Sequence, residues 1–159
     1  MIEIKGVLYE DFVNYKKPSM LVMFPKCTFK CDKECGSPVC QNSALAQGAS
    51  TVISADFLVR QYMANPFIYA IVCAGLEPMD SFDDLLLFIH TIRKYTDNDI
   101  VIYTGYNEDE IDETLMYQIK QYSNIYFKFG RFIPGHAPHY DSVLGVNLAS
   151  DNQYGKKVS

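Results

Sequence analysis

Short apolar runs alternate with longer amphipathic segments along this chain. Four runs rich in β-branched and aromatic residues predict buried strands at 20–24, 67–73, 100–103 and 124–129. Apolar residues at helical spacing predict helices at 55–64, after Ser81 and after Asn107. Ser54 is a typical N-cap, and Ser81 with Asp84 matches a capping box. The acids that follow Asn107 complement the dipole of a third helix.

Strands that alternate with helices are typical of parallel βα units, whose ligands bind at the carboxyl ends of the strands. Each predicted strand is followed at that end by a segment that could bind a ligand. The first strand is followed by the cysteines, the second by residues 75–78, the third by residues 104–106 and the fourth by residues 130–131. Beyond Gly130 the periodicity stops, which predicts an irregular tail. No internal repeat or linker divides the chain, so we predict a single domain over residues 1–159.

Composition and charge exclude several classes of protein. Fourteen Lys and Arg against nineteen Asp and Glu leave a net charge of −5, which offers no basic surface to nucleic acid or membrane lipid. No apolar run approaches the length of a transmembrane helix. The first ten residues contain acids and lack the apolar segment of an export signal. We therefore expect a cytoplasmic protein without nucleic-acid or membrane partners.

The five cysteines are unevenly placed. Four of them fall within fourteen residues, at Cys27, Cys31, Cys35 and Cys40. An odd number without an export signal argues against a disulfide framework, whereas clustered thiolates hold iron–sulfur clusters or zinc. The absence of the C-x2-C pair typical of structural zinc favours a 4Fe–4S cluster held by three thiolates, with zinc or redox thiols as alternatives. Cys73 lies in an apolar run and is predicted to be a buried structural thiol.

Three strings then resemble the radical S-adenosylmethionine (SAM) superfamily. They are C-x3-C after the first strand, Gly75-Leu76-Glu77-Pro78 after the second, and Tyr103-Thr104-Gly105-Tyr106 after the third. Further matching strings at 10–14, 40–42, 130–133 and 148–153 resemble the activating proteins of anaerobic (class III) ribonucleotide reductase. The fold that this resemblance implies is α/β, an open partial (βα) barrel of parallel strands.

The resemblance also implies cofactors and their ligands. The family's third cysteine position is occupied here by Glu34, and the sequence Gln41-Asn42 after Cys40 matches the family context of that ligand. The implied 4Fe–4S ligands are therefore Cys27, Cys31 and Cys40, with Cys35 as the alternative third ligand. The implied SAM-binding residues are Gly75, Leu76, Glu77, Pro78, Thr104, Gly105, Tyr106 and Asn152.

The activity implied by the resemblance is that of an oxidoreductase. With an electron from a donor such as flavodoxin or ferredoxin, it would cleave SAM to a 5′-deoxyadenosyl radical and install a glycyl radical on anaerobic ribonucleotide reductase. Alternative functions are activation of another glycyl radical enzyme, modification of a small molecule as in 7-carboxy-7-deazaguanine synthase, or a non-catalytic zinc-stabilised binding module. His136 and His139 flank Ala-Pro and are expected to face solvent or a partner.

Overall fold

Ten strands and five helices follow one another in a computed structural model that describes all 159 residues. The strands are β1 Ile2–Ile4, β2 Gly6–Asp11, β3 Ser19–Phe24, β4 Thr51–Ile53, β5 Ala70–Gly75, β6 Asp99–Tyr103, β7 Ile125–Phe129, β8 His139–Asp141, β9 Val146–Leu148 and β10 Tyr154–Lys157. The helices are α1 Lys30–Cys35, α2 Ser43–Gln47, α3 Ala55–Ala64, α4 Phe82–Ile92 and α5 Glu113–Ile119, with 3₁₀ turns at Pro78–Ser81 and Glu108–Glu110. The four predicted strands are confirmed as β3, β5, β6 and β7. None of the helices combines the length and apolar character needed to span a bilayer.

Alternate residues of the central strands pack on opposite faces of one sheet. Met20 and Val22 join a large apolar cluster that includes residues of α3, α4 and α5, whereas Leu21 joins a smaller one. The smaller cluster is closed by Tyr15 and Leu144, which lie outside the strands and helices. Because both faces are covered, the central strands are continuously apolar, as is usual in parallel sheets.

The predicted partial barrel of parallel strands is wrong. The sheet is mixed and six-stranded, in the order β10-β7-β6-β5-β3-β2. Its four inner strands are parallel, but β2 pairs antiparallel with β3 and β10 pairs antiparallel with β7. The antiparallel strands occupy both edges, so no further parallel βα unit extends the sheet towards closure.

The helices predicted after Ser54 and Ser81 begin as expected, at Ala55 and Phe82, but the capping box at Ser81 is wrong, and the helix predicted after Asn107 begins later. The first is confirmed, since the Ser54 hydroxyl accepts a hydrogen bond from the Phe57 N–H at 3.3 Å. Ser81 makes no capping hydrogen bond, and Asp84 accepts instead from the Glu3 N–H at 3.0 Å, which ties α4 to β1. The segment after Asn107 forms a capped 3₁₀ turn, and α5 begins only at Glu113.

The predicted irregular tail is also wrong. After β7 the chain forms the β8–β9 hairpin and then returns as the edge strand β10. Asp141 joins these elements, because its two carboxylate oxygens accept from the N–H groups of Leu144 and Gly155, each at 2.8 Å. These strands are short and polar, so apolar periodicity does not reveal them.

Candidate functional site

A cavity of about 410 Å³ opens at the carboxyl ends of β3, β5, β6 and β7. The predicted site residues that line it are Cys27, Cys31, Cys40, Gly75, Leu76, Glu77, Thr104, Gly105 and Tyr106. The other predicted site residues, Cys35, Pro78 and Asn152, do not line it. The strand-end segments singled out in the sequence thus meet at one edge of the sheet.

The segment before the first cysteine is hydrogen-bonded to the turn after β5. The Leu76 N–H donates to the Phe24 carbonyl at 3.1 Å, and the Glu77 N–H donates to the Lys26 carbonyl at 2.8 Å. Gly75 allows this approach, because its φ is +100° and a Cβ there would lie 2.7 Å from the Phe24 nitrogen. The turn after β5 therefore fixes where the cysteine segment begins.

The thiols line one cavity but have not converged. No three His, Cys, Asp or Glu side chains lie close enough together to hold a metal ion. Burial raises the pKa of Cys27 to about 11 and also raises the pKa of Cys31, so both thiols are protonated at neutral pH. Neutral thiols have no charge for a cation to attract, and cluster binding therefore requires loss of their protons.

Two cations oppose that protonation. Lys128 and Arg131 both line the cavity, and both lower the pKa of Cys31 against the larger effect of burial. Burial lowers the pKa of Lys128 to about 8, and its ammonium donates to the carbonyls of Gly130 at 2.7 Å and Thr104 at 3.3 Å. Positive charge at this position favours thiolates and an anionic cluster.

Glu77 links two of the strand-end turns. Its side chain is buried, and its oxygens accept from the Met79 N–H at 3.0 Å and the Gly105 N–H at 2.8 Å. Burial raises the pKa of Glu77 to about 7, although these hydrogen bonds act in the opposite direction. A buried carboxylate at a cavity wall, near its ionisation point at neutral pH, is typical of a functional site.

Asp80 links the cysteine segment to the turn after β6. One carboxylate oxygen accepts from the Thr28 N–H at 2.8 Å, and the other accepts from the Tyr106 hydroxyl at 2.6 Å. The Lys30 ammonium lies 4.2 Å from the centre of the Tyr106 ring. Burial raises the pKa of Tyr106 to about 12, so this tyrosine stays a hydrogen-bond donor.

The sequence patterns did not point to Lys128 or to the salt bridge between Arg131 and Glu110. Lys128 is the only charged residue in the strand Ile125–Phe129. A single charge in an otherwise apolar strand could have indicated a functional residue. The Arg131 guanidinium donates two hydrogen bonds to the Glu110 carboxylate, one from Nη1 to Oε1 at 2.7 Å and one from Nη2 to Oε2. This bidentate pairing lowers the pKa of Glu110 to about 2. Glu110 lies 21 residues from Arg131, so no local pattern pointed to the pair.

Part of the tail lines the cavity, at residues 146–149 and Gln153, and other tail residues support it from outside. The Asn152 amide donates to the Arg131 carbonyl at 2.8 Å, and its own oxygen is buried without a partner. His139 contacts the Gln153 carbonyl through Nε2 at 2.6 Å, and His136 contacts Asp151 through Nδ1 at 2.7 Å. Neither histidine lines the cavity.

The thiol set fits an iron–sulfur cluster, because soft sulfur donors suit iron and three thiols share one cavity wall with two cations. The family model described as "4Fe-4S single cluster domain" matches residues 19–138, which include β3 to β7 and the cysteine cluster. No curated protein matches the chain. The chain therefore belongs to the 4Fe–4S single cluster domain family.

Proposed function

We propose that this iron–sulfur protein is a radical SAM enzyme that installs a glycyl radical on anaerobic ribonucleotide reductase. The observation that carries the proposal is the shared cavity. It is lined by three thiols and by the turns after β5 and β6, the two turns whose sequences resemble SAM-binding segments. A protein that only stored or relayed electrons would not need a cavity beside its cluster.

The cluster ligands in this proposal are Cys27, Cys31 and Cys40, which leave one iron open for a small ligand. When bound, a reduced cluster of this kind supplies the electron that cleaves the sulfonium bond of SAM to methionine and a 5′-deoxyadenosyl radical. Lys128 and Arg131 would offset the negative charge of the thiolates. The residues of the chain contribute binding, orientation and electrostatics.

Glu77 is the residue proposed to orient the SAM ammonium. Each of its oxygens accepts one backbone N–H, and a carboxylate oxygen offers two lone pairs, so an ammonium can be bound in addition. Thr104, Gly105 and Tyr106 would line the adenosyl side. Asn152 would act from outside the cavity, by holding the Arg131 carbonyl in place.

The substrate in this proposal is a glycine-bearing loop of the reductase. Val13 lines the cavity with 75% of its surface exposed, and its neighbour Phe12 is 65% exposed. Exposed apolar side chains beside an open cavity favour a protein partner, whereas a small substrate is usually largely enclosed. The electron would come from a small redox protein such as flavodoxin or ferredoxin.

The test is anaerobic. The chain is reconstituted with iron and sulfide, reduced, and examined by electron paramagnetic resonance (EPR) with and without SAM. We expect the signal to change when SAM is added, and methionine and 5′-deoxyadenosine to form. Addition of the class III reductase is then expected to give a glycyl radical doublet.

The outcomes separate the parts of the proposal. A cluster whose signal ignores SAM, with no cleavage products, would refute the radical SAM function. Cleavage products without a glycyl doublet would refute the reductase as substrate and favour another glycyl radical enzyme or a small molecule.

A further inference from the structure

The choice between two thiols for the third ligand position depends on how the chain between them is held. Eight residues separate Cys31 from Cys40, and Cys35 lies among them. In α1, residues four apart share a helix face, so helical spacing favours Cys35 as the neighbour of Cys31. The structure shows the opposite arrangement, since Cys40 lines the cavity and Cys35 is exposed outside it.

Asp32 accounts for the position of Cys40. A single oxygen of its carboxylate, Oδ1, accepts from the Val39 N–H and from the Cys40 N–H, each at 2.8 Å. Asp32 directly follows Cys31, so these two bonds bring the backbone of Cys40 back beside the second thiol. Hydrogen bonds to a charged acceptor are stronger than neutral ones, which suits them to closing a loop of this length.

Two further contacts hold the ends of the same segment. On the far side of Cys40, the Asn42 amide donates to the Gly75 carbonyl at 2.7 Å, at the turn after β5. Within α1, Glu34 makes an ion-pair contact of 3.2 Å with the nitrogen Nε of Arg131. Neither contact reaches the backbone of Cys40. The other hydrogen bonds to Cys40 are local and longer, from the Ser43 N–H to its carbonyl and from the Asn42 N–H to its sulfur, each at 3.4 Å. Asp32 is therefore the residue that ties Cys40 back to α1.

We propose that Asp32 is a positioning residue that selects Cys40 over Cys35 as the third cluster ligand. This inference takes the three cluster ligands from the proposed function. It adds the hydrogen bonds that determine which thiol is the third ligand. Asp32 binds backbone and not iron, so its carboxylate acts only through the position of Cys40.

The test compares Asp32→Ala and Asp32→Asn, each in the reconstituted full chain with Cys35→Ala as background. Loss of two hydrogen bonds to a carboxylate is expected to speed chelator-driven iron release at least about tenfold in Asp32→Ala. Asp32→Asn keeps an oxygen that accepts both N–H groups and is expected to retain iron nearly as well as the background. Asp56→Ala, at an exposed position in the first turn of α3, is the control for removal of a carboxylate that does not line the cavity.

A second readout uses the chain with Cys35 intact. There, Asp32→Ala frees the cluster to recruit Cys35, and we expect the EPR signal of the reduced cluster to differ from that of the wild type. The inference would be overturned if Asp32→Ala released iron no faster than the Cys35→Ala background. It would also be overturned if Asp32→Ala and Asp32→Asn released iron equally fast. Failure of the proposed function would be seen in a different measurement: the EPR signal of the wild-type cluster would not change when SAM is added.

Discussion

Replacing Glu77 with Gln is expected to raise the stability of the cluster-free protein, relative to that of the wild type, as the pH rises past 7, and to weaken SAM binding. The substitution keeps the shape of the side chain and removes its negative charge. Glu77 is 5% exposed, and burial raises its pKa from 4.5 to about 7. The glutamine amide has only one acceptor oxygen, so the N–H of Met79 or Gly105 loses its partner at every pH, and this cost does not depend on pH. The change of the stability difference with pH therefore reports the charge of Glu77.

The magnitude follows from proton linkage. Because the folded-state pKa lies above the unfolded value, the contribution of Glu77 to stability is complete below pH 4.5 and is lost as pH rises to about 7. A difference of about 2.5 pKa units corresponds to roughly 3 kcal/mol at about 1.4 kcal/mol per unit. The stability of Glu77→Gln relative to wild type should therefore rise by on the order of 3 kcal/mol between pH 4.5 and a pH above 7.

The assay is urea unfolding of the reduced, iron-free chain at pH 4.5, 6 and 8. The nearby Cys27 does not interfere, because its pKa of about 11 lies outside this range. Glu113→Gln, at an exposed position in the first turn of α5, is the control and should show no comparable pH dependence. In the reconstituted protein, loss of a charge-assisted hydrogen bond of roughly 1.5–3 kcal/mol should weaken SAM binding about ten- to a hundredfold.

Two results would refute this reasoning separately. A stability difference that stays constant from pH 4.5 to 8 would mean that Glu77 remains ionised in the folded protein. Unchanged SAM affinity in a variant with a full cluster would mean that Glu77 only connects the two turns. A relative gain in stability at high pH together with a loss of binding is the behaviour expected of a residue retained for function.

Three further predictions concern the cysteines, the turn after β5 and the edge of the cavity. The proposed cluster ligands are Cys27, Cys31 and Cys40. Alanine at any one of them should abolish a stable cluster as measured by iron per chain, whereas Cys35→Ala should leave the iron content unchanged. Gly75→Ala should lower the free energy of unfolding in urea by about 3 kcal/mol or more, because a positive φ and a clash of the new Cβ with the backbone combine. Gly135 also has a positive φ but has open space around it, so Gly135→Ala should lower the free energy of unfolding by only about 1 kcal/mol. Arg131→Ala should lower the free energy of unfolding at pH 7 by about 2 kcal/mol, because Glu110 loses its ion-pair partner. This difference from wild type should shrink as acid protonates Glu110 between pH 4.5 and 2. A difference at pH 2 as large as that at pH 7 would contradict the ion-pair explanation.

Much of the site was predictable because its parts are local strings. The cysteine segment and the turns at 75–78 and 104–106 each follow a buried strand, and parallel strands bring such ends to one edge. Apolar runs revealed those strands, and the structure gathers these segments around one cavity. Lys128 and the Arg131–Glu110 pair were not found, because their significance depends on contacts between distant segments.

Local sequence patterns were enough to predict the four inner strands and the helix capped by Ser54, and they favoured an iron–sulfur cluster over zinc. These features depend on side-chain spacing and ligand chemistry, which act over a few residues. The mixed character of the sheet depends on tertiary contacts, since β2 and β10 are edge strands whose pairing depends on the neighbours they meet. Tertiary contacts also determine that Cys40 lines the cavity while Cys35 does not, because two hydrogen bonds to Asp32 overcome the proximity that helical spacing gives Cys35.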